Sequence, residues 1–257
     1  MELTMATDAN RARFEQQAGI IDPGLLARQS FMMVGAGAIG SFLAMTLGKM
    51  GATKFTIWDH DTIEEHNFAN QMFPIFSKGV KKVDALASVI NEYSGAEINP
   101  VGAKFDPAAY SFAGADFVIS AVDNMDVRKM LFETAIRDGA KFFIDGRMGA
   151  QVMRVYSVDL SKPEEIEFYK RRLYPAAKAA PERCTEKTII YTVLVVSGLL
   201  LNMIKKRLNG EKCPTEIVYD LVHDYYVPTI TTPEPVEEDE FEEDTETVAD
   251  EAEAVHG

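Results

Sequence analysis

Apolar positions along the chain change spacing from one segment to the next. Residues 31 to 35 are a short apolar run, after which Ile39, Leu43, Leu47 and Met50 recur at helical intervals, with Gly51 placed to stop the helix. "KFTIWD" is a second short run, and residues 79 to 93 carry an amphipathic helical pattern. A third strand follows in "INPVGAKF", and "ADFVISAVD" (115 to 123) is a fourth, ending on a carboxylate. A helix from about 125 to 138 then leads into strands "KFFIDG" and "QVMRVYSVDL". This βαβαβ alternation predicts an α/β, Rossmann-like fold whose mainly parallel sheet has helices on both faces.

The flanking segments have weaker patterns. Residues 9 to 19 are predicted helical and carry Arg11 and Arg13, while Asp22-Pro23-Gly24 is a turn or a helix start. Residues 161 to 187, rich in Lys, Arg, Pro and Ala, are expected to form a crossover loop with a short helix. Residues 188 to 204, "TIIYTVLVVSGLLLNMI", approach the length of a membrane span but include two Thr, Tyr, Ser, Gly and Asn, which favours a buried core or interface helix. "EIVYDLV" is the last expected strand. From about residue 228 the chain turns to "PTITTPEP" and then to acid, giving a folded body over 1–227 and a disordered acidic tail over 228–257.

At 257 residues and 47% apolar, the chain can bury a full core. Its net charge of −14 is local, because residues 234–257 hold twelve Asp and Glu and no Lys or Arg, leaving 28 acidic against 26 basic residues elsewhere. A body so balanced has no clustered positive charge for tracking phosphates, which argues against nucleic-acid binding. Cys184 and Cys213 form neither a CxxC pair nor a disulfide framework. No zinc is expected, and a reducing cytoplasm fits. The N-terminus is polar and lacks the apolar core of a signal peptide.

Gly35, Gly37 and Gly40 spell G-x-G-x-x-G between a strand and a helix. The first allows a tight turn, the second lets phosphate approach the backbone, and the third lets helix and strand pack closely. Phosphate would sit at the helix N-terminus, where unpaired amides favour an anion. The motif serves NAD and ATP alike, and Asp59, at the end of the second strand, suits the ribose of either. The residues beyond Asp59 discriminate more. Asn67, Asn70 and Gln71, then Gly79 and Lys82 at the head of a helix, suit a triphosphate and have no evident use in a dehydrogenase. Asp123, followed by Asn124, lies where an open α/β sheet places ligand contacts, and Asp145 and Arg147 occupy a similar strand end. The histidines His60, His66, His223 and His256 form no nucleophile or metal constellation.

In their order and spacing, "VGAGAIGS", "WDHDTIEEHNFANQ", "KGVKK" and "SAVDNMDVRKML" resemble the ThiF/MoeB/HesA superfamily, over about residues 10 to 210. That superfamily contains the activating enzymes of ubiquitin-like and sulfur-carrier proteins. The resemblance implies that the body over 1–227 is an adenylylation domain. It would bind ATP and Mg²⁺, adenylylate the C-terminal carboxylate of a small ubiquitin-like or sulfur-carrier protein, and work as a homodimer. It assigns Asp59 to the ribose, Asp61 to the second acid of the same element, Asn67 and Gln71 to polar contacts, Lys82 to phosphate, Asp123 to Mg²⁺, and Arg128 to the end of the "D-N-x-x-x-R" pattern.

Asn70 departs from the family, standing where an arginine is usual. An amide can hydrogen-bond phosphate but cannot neutralise charge, and losing one such contact costs on the order of 3 kcal/mol, about a hundredfold in rate. Arg13, in "ARFEQQ", resembles the arginine that reaches the neighbouring subunit's phosphates; Arg11 and Arg13 equally suit a solvated helix face. Cys184 matches a position that in many relatives takes the acyl group, and it equally suits a packed small residue. Cys213, before a proline, reads as structural. Two alternatives stay open: an NAD-dependent oxidoreductase, and a catalytically weak nucleotide-binding interaction protein.

Overall fold

A single 3-10 turn, Glu15–Gln17, stands where a helix over 9–19 is expected, and a short helix, α1 (Pro23–Arg28), follows it, with Asp22 as its cap accepting the Gly24 N–H at 2.9 Å. The computed structural model describes residues 12–175 and 188–232. After α1 come β1 (Ser30–Val34), α2 (Ala38–Met50), β2 (Lys54–Trp58), α3 (Lys82–Ser94) and β3 (Ile98–Val101). The second half holds β4 (Phe117–Ser120), α4 (Met125–Arg137), β5 (Phe142–Gly149), β6 (Val152–Asp159), α5 (Pro163–Lys170), α6 (Ile190–Leu208), β7 (Glu216–Asp220) and β8 (Tyr225–Thr229). Helix α2 ends at Gly51, as its spacing predicts, in a left-handed conformation at φ 111°.

All eight strands form one sheet in the order β3-β2-β1-β4-β5-β6-β7-β8. Strands β1 to β5 pair in parallel, and β5 to β8 run antiparallel through successive connections. The α/β expectation holds, with a larger antiparallel share than the sequence pattern conveyed. The order reverses between β1 and β4, and a crevice opens at the C-terminal ends of the strands at such a point. Both edge strands carry a proline, Pro100 on β3 and Pro228 on β8, which withholds a donor from any added strand.

Two apolar layers sandwich the sheet. Ile39, Leu43 and Leu47 of α2, Leu86 and Ile90 of α3, and Val196, Leu200 and Ile204 of α6 share one core. Leu131 and Phe132 of α4 and Tyr169 of α5 share the other, which extends to Trp58. The expected core helix around 188–204 is therefore α6, which buries Val193, Val196, Leu200 and Met203. No helix among the described residues is long and apolar enough to cross a membrane.

Strand β3 stops at Val101, short of the expected "INPVGAKF", and other boundaries differ as well. Helix α3 begins at Lys82, not 79, because Gly79 takes a left-handed φ of 82° and residues 79 and 80 are tied to Ile63 by backbone hydrogen bonds. Strand β4 is shorter than 115–123, since the chain leaves the ladder after Ser120 to approach the glycine turn. A tail beginning at 228 is corrected as well: Pro228 and Thr229 lie in β8, opposite Ile217 and Glu216. Residues 1–11, Cys184 with the rest of 176–187, and the acidic stretch from 233 onward lie outside the described residues.

Candidate functional site

The three glycines of the turn after β1 have three distinct environments. A Cβ on Gly35, at φ 103°, would stand 2.4 Å from the Ala121 carbonyl oxygen, and one on Gly40 would stand 2.0 Å from that of Gly35. Strand ends and helix can approach this closely only without side chains. A Cβ on Gly37 would meet nothing within 4 Å. Gly37 is also the N-cap of α2 and offers no side-chain cap, so it leaves the first amides of α2 to another acceptor. Such a cradle fits a phosphate.

Asp59 fixes this turn. Its Oδ2 accepts the Ala36 N–H at 2.7 Å and its Oδ1 accepts the Asp61 N–H at 2.8 Å. Each carboxylate oxygen keeps a second lone pair, so a ribose hydroxyl can still be bound. Beside it, a cleft of about 440 Å³ is lined by His60, Asp61, Thr62, Asn67, Lys81 and Lys82, among others. Lys82, at the first turn of α3, is 7% exposed and its Nζ lies 2.8 Å from Asp61 Oδ2. That hydrogen bond holds the Asp61 carboxyl below its ordinary value, against the opposing effect of partial burial. Oxygens of Asp59 and Asp61 and a ring nitrogen of His60 lie within 4.8 Å of one another, close enough to share a cation.

The segment between Asp61 and Lys82 has a built interior. Asn67 Oδ1 accepts the Glu64 N–H at 2.8 Å within a reciprocal capping box, so this buried amide shapes its own turn. The Met72 N–H donates to Ser41 Oγ at 3.0 Å, tying the segment to α2. Asn70 Oδ1 and Gln71 Oε1 are buried without hydrogen-bond partners. Orphaned acceptors carry a desolvation cost that an incoming donor removes, so both amides fit a ligand's hydroxyl or amino groups.

Asp123 is exposed just past β4, next to Asn124, whose Oδ1 caps α4 by accepting the Asp126 and Val127 N–H groups. Arg128 is elsewhere occupied. It is 5% exposed, its Nε donates to Asp145 Oδ1 at 2.8 Å and its Nη2 donates to the Val122 carbonyl. It thus holds the backbone that presents Asp123. Arg13 is exposed and not part of this cleft: its Nη1 lies 3.7 Å from a Cβ built on Gly95, the C-cap of α3. Lys82 is at the other end of that 13-residue helix, about 20 Å away at 1.5 Å per residue. Cys184 lies outside the described residues, and Cys213 is buried, with burial raising its thiol above the ordinary range.

Sequence reasoning missed the partners of Asp145. This fully buried carboxylate accepts from Arg128, from Arg147 Nε at 2.6 Å and from the Tyr169 hydroxyl at 2.9 Å. Arg147 stands two residues along the same strand, but Arg128 and Tyr169 come from helices α4 and α5, so no local spacing signals those two. Ser41 was missed too, although a Ser one residue past G-x-G-x-x-G is a readable hint of a polar contact.

The architecture has known counterparts. PaaA superposes with a TM-score of 0.69 at 14% identity, covering 88% of this chain and 75% of PaaA. The E. coli MccB structure solved with ATP gives 0.66 at 15% identity, covering 83% of this chain and 67% of MccB. In sequence, ubiquitin-like modifier-activating enzyme 5 of Arabidopsis thaliana is 24% identical over 252 residues, 86% of this chain and 57% of the relative. The chain thus spans little more than half the length of that protein. The ThiF family profile matches residues 19–240. On that match over most of its length, the chain belongs to the ThiF family.

Proposed function

We propose that this chain is an ATP- and Mg²⁺-dependent adenylyltransferase that activates the C-terminal carboxylate of a small ubiquitin-like or sulfur-carrier protein, working as a homodimer in a reducing, cytoplasmic setting. The observation that carries this is the uncapped start of α2 at Gly37, tied through Asp59 to the cleft that Lys82 lines and through Ser41 to the segment that holds the orphaned Asn70 and Gln71 oxygens. The family match and the ATP named with MccB support the choice of nucleotide. The catalytic unit is the body through β8.

The chemistry asks little of general bases, since the attacking carboxylate is already ionised near neutral pH. One carboxylate oxygen attacks the α-phosphorus, and the bond to the bridging oxygen breaks as pyrophosphate leaves. The turn amides and Lys82 orient the phosphates and stabilise their charge, while Asp59 and Gln71 orient the ribose. Asp123 would hold Mg²⁺, which when bound neutralises charge on the departing pyrophosphate. Arg13 of a second copy would add the cation that Asn70 does not supply. Cys184 is the candidate acceptor for a subsequent thioester.

A second reading, a nucleotide-binding interaction protein with weak catalysis, is favoured by Asn70 itself, an uncharged amide where the family resemblance implies an arginine. Calorimetric titration with ATP·Mg²⁺ and separately with NAD, repeated on Asp123→Ala, tests the assignment. Mg²⁺-dependent ATP binding weakened in the variant, with no NAD binding, is the expected result. NAD binding without ATP binding would overturn it in favour of redox chemistry.

A further inference from the structure

Beyond the nucleotide cradle, the end of β5 gathers four arginines around two carboxylates. Arg128 and Arg147 both bond Asp145, while Arg154 and Arg172 approach Glu216 at 3.3 and 3.6 Å. The two pairs are one cluster. Arg147 stacks over the Tyr156 ring at 4.4 Å, and the Tyr156 hydroxyl donates to Glu216 at 2.7 Å. Arg147 Nη1 also donates to the Arg172 carbonyl at 2.9 Å. Burial pushes the Tyr156 and Tyr169 hydroxyls well above their ordinary range, so both stay neutral donors and add no negative charge. Four guanidiniums against two carboxylates leave the cluster positive.

Two features make this excess informative. Arg147 and Arg154 stand directly opposite each other across the β5–β6 ladder, an arrangement in which like charges repel. In addition, Arg147 Nη2 is buried and has no hydrogen-bond partner. A cationic donor left without an acceptor in the interior is costly, whereas Nε, Nη1 and the ring face of the same guanidinium are all satisfied. The guanidinium is held rigidly with one donor to spare. A planar, charged fork of this kind is suited to a carboxylate or phosphate oxygen.

We propose that Arg147, with Arg154 and Arg172 at its rim, forms an oxyanion subsite at the end of β5, separate from the glycine turn. Arg154 is half-exposed and Arg172 about one third exposed, so the rim is open to solvent. Through Asp145 and Arg128 the subsite is linked by hydrogen bonds to Val122, the residue before Asp123. It rests on the adenylylation reading for its occupant, the acyl carboxylate or a phosphate group, and not for its existence.

The test titrates the folded protein with glycylglycine as a free carboxylate and with inorganic phosphate, in wild type, Arg147→Gln and Arg154→Gln, with Arg137→Gln as a surface control. Binding that survives Arg137→Gln but weakens about tenfold or more in Arg147→Gln is expected, given the strength of charge-assisted hydrogen bonds. If glycylglycine is the anion affected, the occupant is the acyl carboxylate; if phosphate, the occupant is a phosphate group. Should Arg147→Gln fail to fold, weakening in Arg154→Gln carries the same meaning. Unchanged binding in both arginine variants, or no binding of either anion to wild type, would overturn the proposal. A parallel ATP titration separates this outcome from failure of the nucleotide reading.

Discussion

The Lys82 ammonium and the Asp61 carboxylate lie 2.8 Å apart, with the lysine almost entirely buried and the aspartate half exposed. Any phosphate that binds Lys82 must share it with this carboxylate. Lys82→Ala is therefore expected to weaken ATP about tenfold or more, the value of a charge-assisted contact. Calorimetry on the folded variant checks it, and unchanged affinity would remove Lys82 from the site.

The same pair has a pH signature. The Asp61 carboxyl is held below its ordinary value of 3.8, chiefly by the hydrogen bond from Lys82. A depressed carboxyl contributes stability that is present above the unfolded value and is lost as pH falls through the folded one. With Asp61 half exposed, solvent screening limits the gain to about 1 kcal/mol or less. Urea midpoints of wild type and Asp61→Asn are expected to differ near pH 6 and to converge as pH falls below 3.8 and on through the lowered folded value. A constant difference across that range would show that the pair contributes nothing through ionisation.

Gly40 and Gly37 make opposite expectations from one motif. Gly40→Ala drives a Cβ to 2.0 Å from backbone, which must shift, so a loss of about 2 kcal/mol or more in stability is expected. Gly37→Ala enters open space and is expected to change stability by less than about 1 kcal/mol while weakening ATP, because the methyl occupies the cradle. Thermal melts and ATP titrations on both variants separate the two roles. Equal destabilisation by both would refute the distinction.

How far the sequence revealed this depends on the range of each interaction. The β1-turn-α2-β2 unit was legible because the glycine turn, Gly51 and the apolar spacing are all local, and the turn, the helix and its stop form where they were expected. Strand β8 was not, because "YYVPT" is short, contains proline and runs into the acidic composition; it forms because β7 offers it a ladder. Arg128 was placed correctly in its helix, yet its burial depends on Asp145, which β4–β5 pairing brings beneath it. A motif gives a residue's address along the chain but not its partner across the sheet.

Arg128→Gln follows from that burial. Removing one member of a buried ion pair leaves the other uncompensated, although Arg147 and Tyr169 still attend Asp145. A loss of about 3 kcal/mol is expected, seen as a lower urea midpoint at unchanged slope. Wild-type stability with impaired ATP binding would instead make Arg128 a direct ligand.

Arg13 offers a test of the dimer. Because it lies near the far end of α3, about 20 Å from its own Lys82, it can serve a phosphate site only in another copy of the chain. Arg13→Ala and Lys82→Ala proteins are each expected to lose about tenfold or more of ATP affinity or of pyrophosphate release. Mixed and allowed to exchange subunits, they form heterodimers in which one site combines the intact Lys82 of one chain with the intact Arg13 of the other. Activity above that of either variant alone is the expected outcome. Full activity in Arg13→Ala would return Arg13 to a solvated helix face. Loss in both variants without any recovery on mixing, once subunit exchange is verified, would place both defects within one chain and exclude a contribution from the partner.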